Sequence, residues 1–145
     1  MPTVEDKASD LMVQIQGIIR RYRSRQRDFV KEADSDLSQR EIDALLHLGR
    51  DGECTMSHLA QEILMSMSSA TMIVDRLVHK GIVSREHSAD DRRVVVIRLT
   101  RKGKKSFKII HEHFLRIVRT MLGSLNEREQ DMFLHLYKKI ASKLT

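Results

Sequence analysis

The sequence predicts a mainly helical fold carrying one small β-hairpin, and three observations predict it. Apolar residues recur at helical spacing through most of the 145 residues, glycines number only six, and the single proline is Pro2, so helices can run long. One stretch breaks that period: "GIVSREH" and "VVVIRL", rich in β-branched residues, flank the charged loop "SADDRR". Capping signals and glycines divide the middle of the chain into short helices placed directly before that hairpin.

The first helix opens at Val4. Its apolar positions run Val4, Ala8, Leu11, Ile15, Ile18 and Tyr22, skip Arg25 and resume at Phe29. Steps alternating four and three residues form a heptad seam with charged or polar flanks, the pattern of a long helix packed on another helix, often a second subunit's. A helix that capped only its own domain would carry the same stripe.

In "DLSQREIDALLHLGRDG", Ser38 and Glu41 form a capping box. Ile42, Leu45, Leu46 and Leu48 supply the buried face, and Gly49 and Gly52 are expected to end the helix. A short helix then starts at Thr55 and is expected to bury Leu59, Ala60, Ile63 and Leu64. A third starts near Ser66, buries Ala70, Ile73, Val74, Leu77 and Val78, and stops at Gly81. Three short helices with tight joints, the last entered through a serine-rich turn, read as a helix-turn-helix with its support. A hairpin directly after it is a wing, with Val95, Ile97 and Leu99 on the face turned to the helices.

Thr100 can cap the next helix, whose apolar stripe is Phe107, Ile110, Phe114, Ile117, Val118, Met121 and Leu122. Asn126 with Glu129 caps the last, with Met132, Phe133, Leu136 and Ile140 inside. The fold class is therefore mainly α with a small β-hairpin wing: a winged helix-turn-helix plus long terminal helices. Residues 1–34 form an N-terminal helix, 35–100 the winged unit and 101–145 the C-terminal helices.

Bulk numbers narrow the function. A chain this long buries roughly 70% of its unfolded surface and needs no metal or disulfide to fold. One cysteine fits a reducing cytoplasm, the acidic N-terminus lacks a signal peptide's apolar core, and no apolar run reaches the roughly 20 residues of a membrane helix. The net charge is +6 and the pI near 9.7, which favours a polyanion partner. The basic residues cluster: Arg20, Arg21, Arg23, Arg25 and Arg27 in one segment, Arg92, Arg93, Arg98, Arg101, Lys102, Lys104 and Lys105 in another. Alone, each cluster reads as a solvated surface. The second gains meaning from the wing it decorates.

Arginines at a hairpin tip suit the minor groove of DNA, whose potential attracts guanidinium over A·T tracts. Asp91 has no use facing phosphate, so its expected role is to hold an arginine, either Arg93 or Arg76. Ser66, Ser68, Ser69 and Thr71 are short enough to let their helix sit deep in the major groove, and Met72 can touch a thymine methyl. Specificity is then expected to lean on the wing and on DNA shape more than on helix–base hydrogen bonds.

"DRLVHKGIVSR" followed by "DDRRVVVIRLTRKG" resembles the MarR family of bacterial winged-helix regulators. The matching residues are Asp75-Arg76-Leu77, Lys80-Gly81, Asp91-Arg92-Arg93 and Leu99-Thr100-Arg101-Lys102-Gly103. The resemblance implies a cytoplasmic homodimer that binds double-stranded DNA at palindromic operators, often as a repressor, with Arg93 as the side chain inserted from the wing. It implies dimerisation through the terminal helices, here Leu11, Ile15, Ile18, Tyr22, Phe114, Ile117, Met132, Phe133, Leu136 and Ile140. It also implies release by a small lipophilic or aromatic acid that changes the spacing of the two recognition helices, roughly 34–36 Å on DNA. Two departures from the family pattern stand out: Ser88-Ala89 stands where many members have Asp-Pro, and Met67 and Met72 where many have Lys or Arg.

Sharper alternatives carry less weight. Cys54 with His58 lacks the third group of a hydrolase, so no enzyme is expected. Peroxide-sensing relatives place their cysteine in the first helix, where this chain has none. His111 and His113 are two residues apart and point to different sides of a helix, which weakens a zinc-responsive reading. Eight methionines suit gap filling better than copper, and no cofactor is expected. A coiled-coil adaptor would explain the first helix but not the charged wing.

Overall fold

The computed structural model describes residues 1–33 and 36–144, with all side chains except that of Arg27. The Arg27 side chain of the first arginine cluster, the expected boundary between residues 34 and 35, and Thr145 at the end of the expected C-terminal region lie outside what the structure describes.

The elements in order are α1 (Val4–Glu32), α2 (Gln39–Asp51), β1 (Cys54–Thr55), α3 (Met56–Glu62), α4 (Met67–His79), β2 (Val83–His87), β3 (Val95–Leu99), α5 (Arg101–Leu122) and α6 (Glu127–Leu144). They fall into two compact units, Met1–His111 and the chain from Glu112 onward.

Capping residues set most helix starts. Glu41 N–H donates to Ser38 Oγ at 3.3 Å and Ser38 N–H to Glu41 Oε2 at 2.6 Å, the reciprocal box the sequence predicts. Thr55 and Ser66 accept from the N–H groups of His58 and Ser69. Thr100 Oγ1 accepts from Gly103 N–H at 3.1 Å and donates to Gly81 C=O at 2.6 Å, so it caps α5 and ties it to the end of α4. Gly103 follows from the same closeness, because a Cβ there would lie 2.0 Å from the Ile82 carbonyl oxygen. The motif Leu-Thr-x-x-Gly is thus a cap and a close approach in five residues.

In the first unit one core joins Ile42, Ala44, Leu45 and Leu48 of α2 to Leu59, Ala60 and Ile63, to Ala70, Ile73, Val74 and Leu77 of α4, and to Ile82, Val83, Ile97 and Leu99 around the strands. Four sequence expectations are corrected. Gly49 does not end α2, which runs to Asp51 and is capped by Gly52 at φ 88°. Gly49 is instead a contact point: a Cβ there would stand 2.1 Å from the Phe107 ring. Leu64 is not buried but 87% exposed, because it occupies the left-handed residue (φ 54°) that reverses the chain after α3. Val78 and Val95 are exposed too, since α4 turns Val78 outward and β3 runs past the core at Val95.

The sheet has a strand that periodicity did not reveal. Its order is β1-β3-β2, all antiparallel, with Cys54 opposite Ile97 and Thr55 opposite Val96. Two residues leave no readable alternation.

In the second unit, Gln130 Nε2 donates to the carbonyls of Leu122 at 3.1 Å and Leu125 at 2.9 Å, which fixes the turn into α6. Asn126 and Glu129 cap α6 reciprocally. The expectation that Met132, Phe133, Leu136 and Ile140 lie inside does not hold for the single chain, where α6 buries no residue and all four are exposed.

Candidate nucleic-acid interface

The wing is built by register. Val83 pairs with Leu99 and His87 with Val95, and Ser88 N–H closes the hairpin on Val94 C=O at 2.8 Å. At its tip Asp91 Oδ1 accepts from Arg93 N–H at 2.9 Å and from Arg93 Nε at 3.2 Å, while Nη2 lies 3.4 Å from Oδ2. Those hydrogen bonds, the backbone one foremost, hold the Asp91 carboxyl below its ordinary value, so it stays anionic. Of the two arginines expected to take this carboxylate, Arg93 does so. Its side chain is still 91% exposed, and Arg92 beside it is exposed as well. Arg98 in the same basic run is occupied, paired with Glu53 and with Glu86 at 3.1 Å.

At 100° per residue, Ala70, Ile73, Val74 and Leu77 put the opposite side of α4 outward, centred on Ser68, Met72 and Asp75. Ser68, Met72 and Arg76 are exposed there, and Ser69 and Thr71 are half-buried at its margins. The hydroxyls already bond among themselves: Ser66 Oγ donates to Ser69 Oγ at 3.0 Å and lies 3.3 Å from Ser68 Oγ, and Thr71 Oγ1 donates to Met67 C=O at 2.8 Å. Ser66 is thus cap and network hub at once.

Two pairs around this helix were not visible to sequence reasoning. Asp75 Oδ1 lies 2.6 Å from Arg85 Nη1, joining α4 to the first wing strand. Lys80 Nζ lies 2.9 Å from both carboxylate oxygens of Glu41. Their separations of 10 and 39 residues match no local period, so only the fold brings them together.

Of the residues expected at a dimer seam, Leu11, Ile15 and Ile18 are exposed along one α1 stripe. Tyr22 is half-buried, and burial first, then the charge of Asp43, pushes its phenol up. Phe114 is exposed and Ile117 half-buried.

Cys54 is half-buried, and burial, with Glu62 and Asp51 nearby, pushes its thiol up, the opposite of an activated thiolate. His111 stacks on Phe107 at 5.1 Å, and His113 is buried. His47, only 6% exposed, places Nδ1 3.1 Å from Asp51 and 3.9 Å from Glu62. Among the described residues no three His, Cys, Asp or Glu side chains are grouped to hold a metal ion, and no helix is long and apolar enough to cross a membrane.

A helix-turn-helix followed directly by a β-hairpin, which pairs with the short strand β1 ahead of α3 to complete a three-stranded sheet, defines a winged helix-turn-helix protein. The model of the MarR family matches residues 35–94. The HTH-type transcriptional regulator YfiV of Bacillus subtilis is 38% identical over 77 residues, 53% of this chain and 48% of that protein, so the chain spans about half of this relative's length. The HTH-type transcriptional repressor MdtR of the same organism is 23% identical over 97% of this chain and 90% of its own. The crystal structure of Streptococcus pneumoniae FabT in complex with DNA superposes with a TM-score of 0.79 at 20% identity, covering 97% of this chain and 96% of that one. Over residues 35–94 the chain is therefore similar to the MarR family, and both of these Bacillus subtilis relatives are named transcriptional regulators or repressors.

Proposed function

We propose that the protein is a regulator of transcription that binds palindromic double-stranded DNA as a homodimer, acts as a repressor and is released by a small lipophilic or aromatic acid. The observation that carries the reading is the wing tip, where one carboxylate clamps an otherwise solvent-exposed arginine. Arg92 and Arg93 then serve the minor groove, and Ser66, Ser68, Ser69, Thr71, Met72 and Arg76 the major groove. Asp91 positions Arg93. Repression and DNA binding also fit the relatives, one named a repressor and one crystallised on DNA.

Homodimerisation is supported by apolar surface that one chain leaves in water: Leu11, Ile15 and Ile18 on α1, and Met132, Phe133, Leu136 and Ile140 on α6. We assign Phe114, Ile117 and Tyr22 to the same seam, with residues 1–34 and 101–145 as the dimerisation regions and 35–100 as the DNA-binding domain. A redox-responsive regulator is disfavoured by the raised Cys54 thiol. The test is a duplex selected from a randomised pool, titrated with protein at rising salt while light scattering reports mass. Dimers whose affinity falls steeply with salt are expected. A monomer, or a dimer indifferent to DNA in dilute buffer, overturns the reading.

A further inference from the structure

The C-terminal end of α4 is held from three directions at once. Lys80, its last cap residue, sends Nζ to both oxygens of Glu41 at 2.9 Å and to the Asp36 carbonyl. Lys102 Nζ of α5 donates to the Lys80 carbonyl at 3.0 Å. Thr100 donates its hydroxyl to Gly81 C=O, and its N–H donates to Ile82 C=O at 3.0 Å. Glu41 is 1% exposed and already accepts from the Ser38 N–H, so its two oxygens link the start of α2 to the end of α4.

Several features argue against a role limited to stability. The Glu41 carboxylate is buried while the Lys80 side chain stays 32% exposed, and an ion pair with a desolvated partner adds little over a well-packed apolar pair, fixing register being its best-attested use. The apolar contacts of Ala70, Ile73, Val74 and Leu77 hold α4 on the core but are non-directional. A bidentate ammonium–carboxylate contact with a third bond to a carbonyl has fixed geometry. It also sits at one end of a lever. Ser66 and Lys80 are 14 residues apart, about 21 Å at 1.5 Å per residue, so a tilt of about 5° at Lys80 moves the serine turn by about 2 Å.

We propose that Glu41 and Lys80 are positioning residues for sequence recognition: the pair fixes the tilt of the recognition helix from its far end and touches no DNA itself. This rests on the DNA-binding reading above. Phosphate attraction tolerates a small tilt, whereas hydrogen bonds and methyl contacts at base edges do not.

The test compares the wild-type protein with the double variant Glu41→Gln/Lys80→Met. Gln keeps an acceptor for Ser38 N–H, Met keeps the apolar stem, and no lone buried charge remains. Two duplexes are titrated: a palindrome selected by the wild-type protein from a randomised pool, and its scramble. Circular dichroism melting confirms folding. The expected result is a loss of about tenfold on the selected duplex, the size of one mismatched base pair. Affinity for the scramble and the salt slope stay unchanged. A purely structural pair would lower the melting temperature and weaken both duplexes alike. If the double variant does not fold, Lys80→Arg, which keeps the charge and alters the reach, takes its place in the same comparison. A folded variant with undiminished preference overturns this inference alone. A wild-type protein that binds neither duplex overturns the regulator reading and this inference with it.

Discussion

Arg93 is bonded to Asp91 through both its backbone N–H and its guanidinium, at 2.9 and 3.2 Å to the same carboxylate oxygen. One acid therefore sets the turn and aims the side chain. The wing needs this because Ser88-Ala89 gives the loop no rigid proline, and the tip depends on Asp91 instead.

Asp91→Ala tests that dependence by sign. Removing a negative charge beside phosphate should tighten DNA binding if charge alone matters, whereas a loosened Arg93 weakens it. We expect a loss of about threefold on an A·T-flanked palindrome, within the energy range of one exposed ion pair. Fluorescence anisotropy decides it, and unchanged or tighter binding removes the positioning role.

Arg85 neutralises Asp75 on the outward side of α4. Arg85→Met should leave the melting temperature nearly unchanged, because exposed pairs contribute about 0–1 kcal/mol. DNA affinity should nevertheless fall, since a bare carboxylate then faces phosphate. Adding Asp75→Asn should restore it. Failure of that rescue would place the effect in wing geometry rather than charge.

Leu64 and Gly81 occupy equivalent places. After α3, Leu64 N–H donates to Gln61 C=O and Met65 N–H to Ala60 C=O; after α4, Gly81 N–H donates to Val78 C=O and Ile82 N–H to Leu77 C=O. Both turns need positive φ, 54° and 71°, yet one uses leucine. A side chain in the left-handed region costs about 1–2 kcal/mol, and a glycine's extra unfolded freedom takes back about 0.5–1 kcal/mol. Leu64→Gly should therefore stabilise by about 0.5–1 kcal/mol in a thermal melt, with little burial to lose. A lower melting temperature would show that the exposed leucine makes a stabilising contact.

Gly49→Ala should act in the other direction. Helix propensity favours alanine by about 1 kcal/mol, but the added carbon meets the Phe107 ring at 2.1 Å and overpacking costs about 1–3 kcal/mol. The clash wins. Urea denaturation should show net destabilisation, relieved by adding Phe107→Leu.

Stability should carry an acid limb from Glu41. Burial alone would raise its carboxyl, but hydrogen bonds from Ser38 and Lys80 and the lysine's charge outweigh it, and the net shift is downward. A lowered folded value means the contribution is complete above the unfolded carboxylate value of about 4.3 and fades as pH falls through the folded one. The melting advantage of the wild-type protein over Glu41→Gln should be flat from pH 8 to 5 and shrink below about pH 4. Shrinkage near pH 6 would instead implicate a histidine.

The parts of this fold legible in the sequence were those set by local chemistry. The Ser38–Glu41 and Asn126–Glu129 caps, the two wing strands and the inward faces of α2 and α4 each follow from residues at most a few positions apart. Leu64 misled because its apolar character matched the helical period while its backbone had already turned. Gly49 misled because a glycine near a helix end reads as a stop, although here it makes room for a side chain 58 positions away.

By itself the sequence determined the helices, the hairpin, the basic tip and the apolar stripes, because capping, periodicity and charge act over one or two turns of chain. Only the tertiary structure decided which arginine Asp91 holds, that Asp75 meets Arg85, that Glu41 meets Lys80, and that β1 joins the sheet. The physical reason is reach: a carboxylate selects its partner within about 4 Å of space, and no spacing along the chain encodes which distant residue the packed core will bring there.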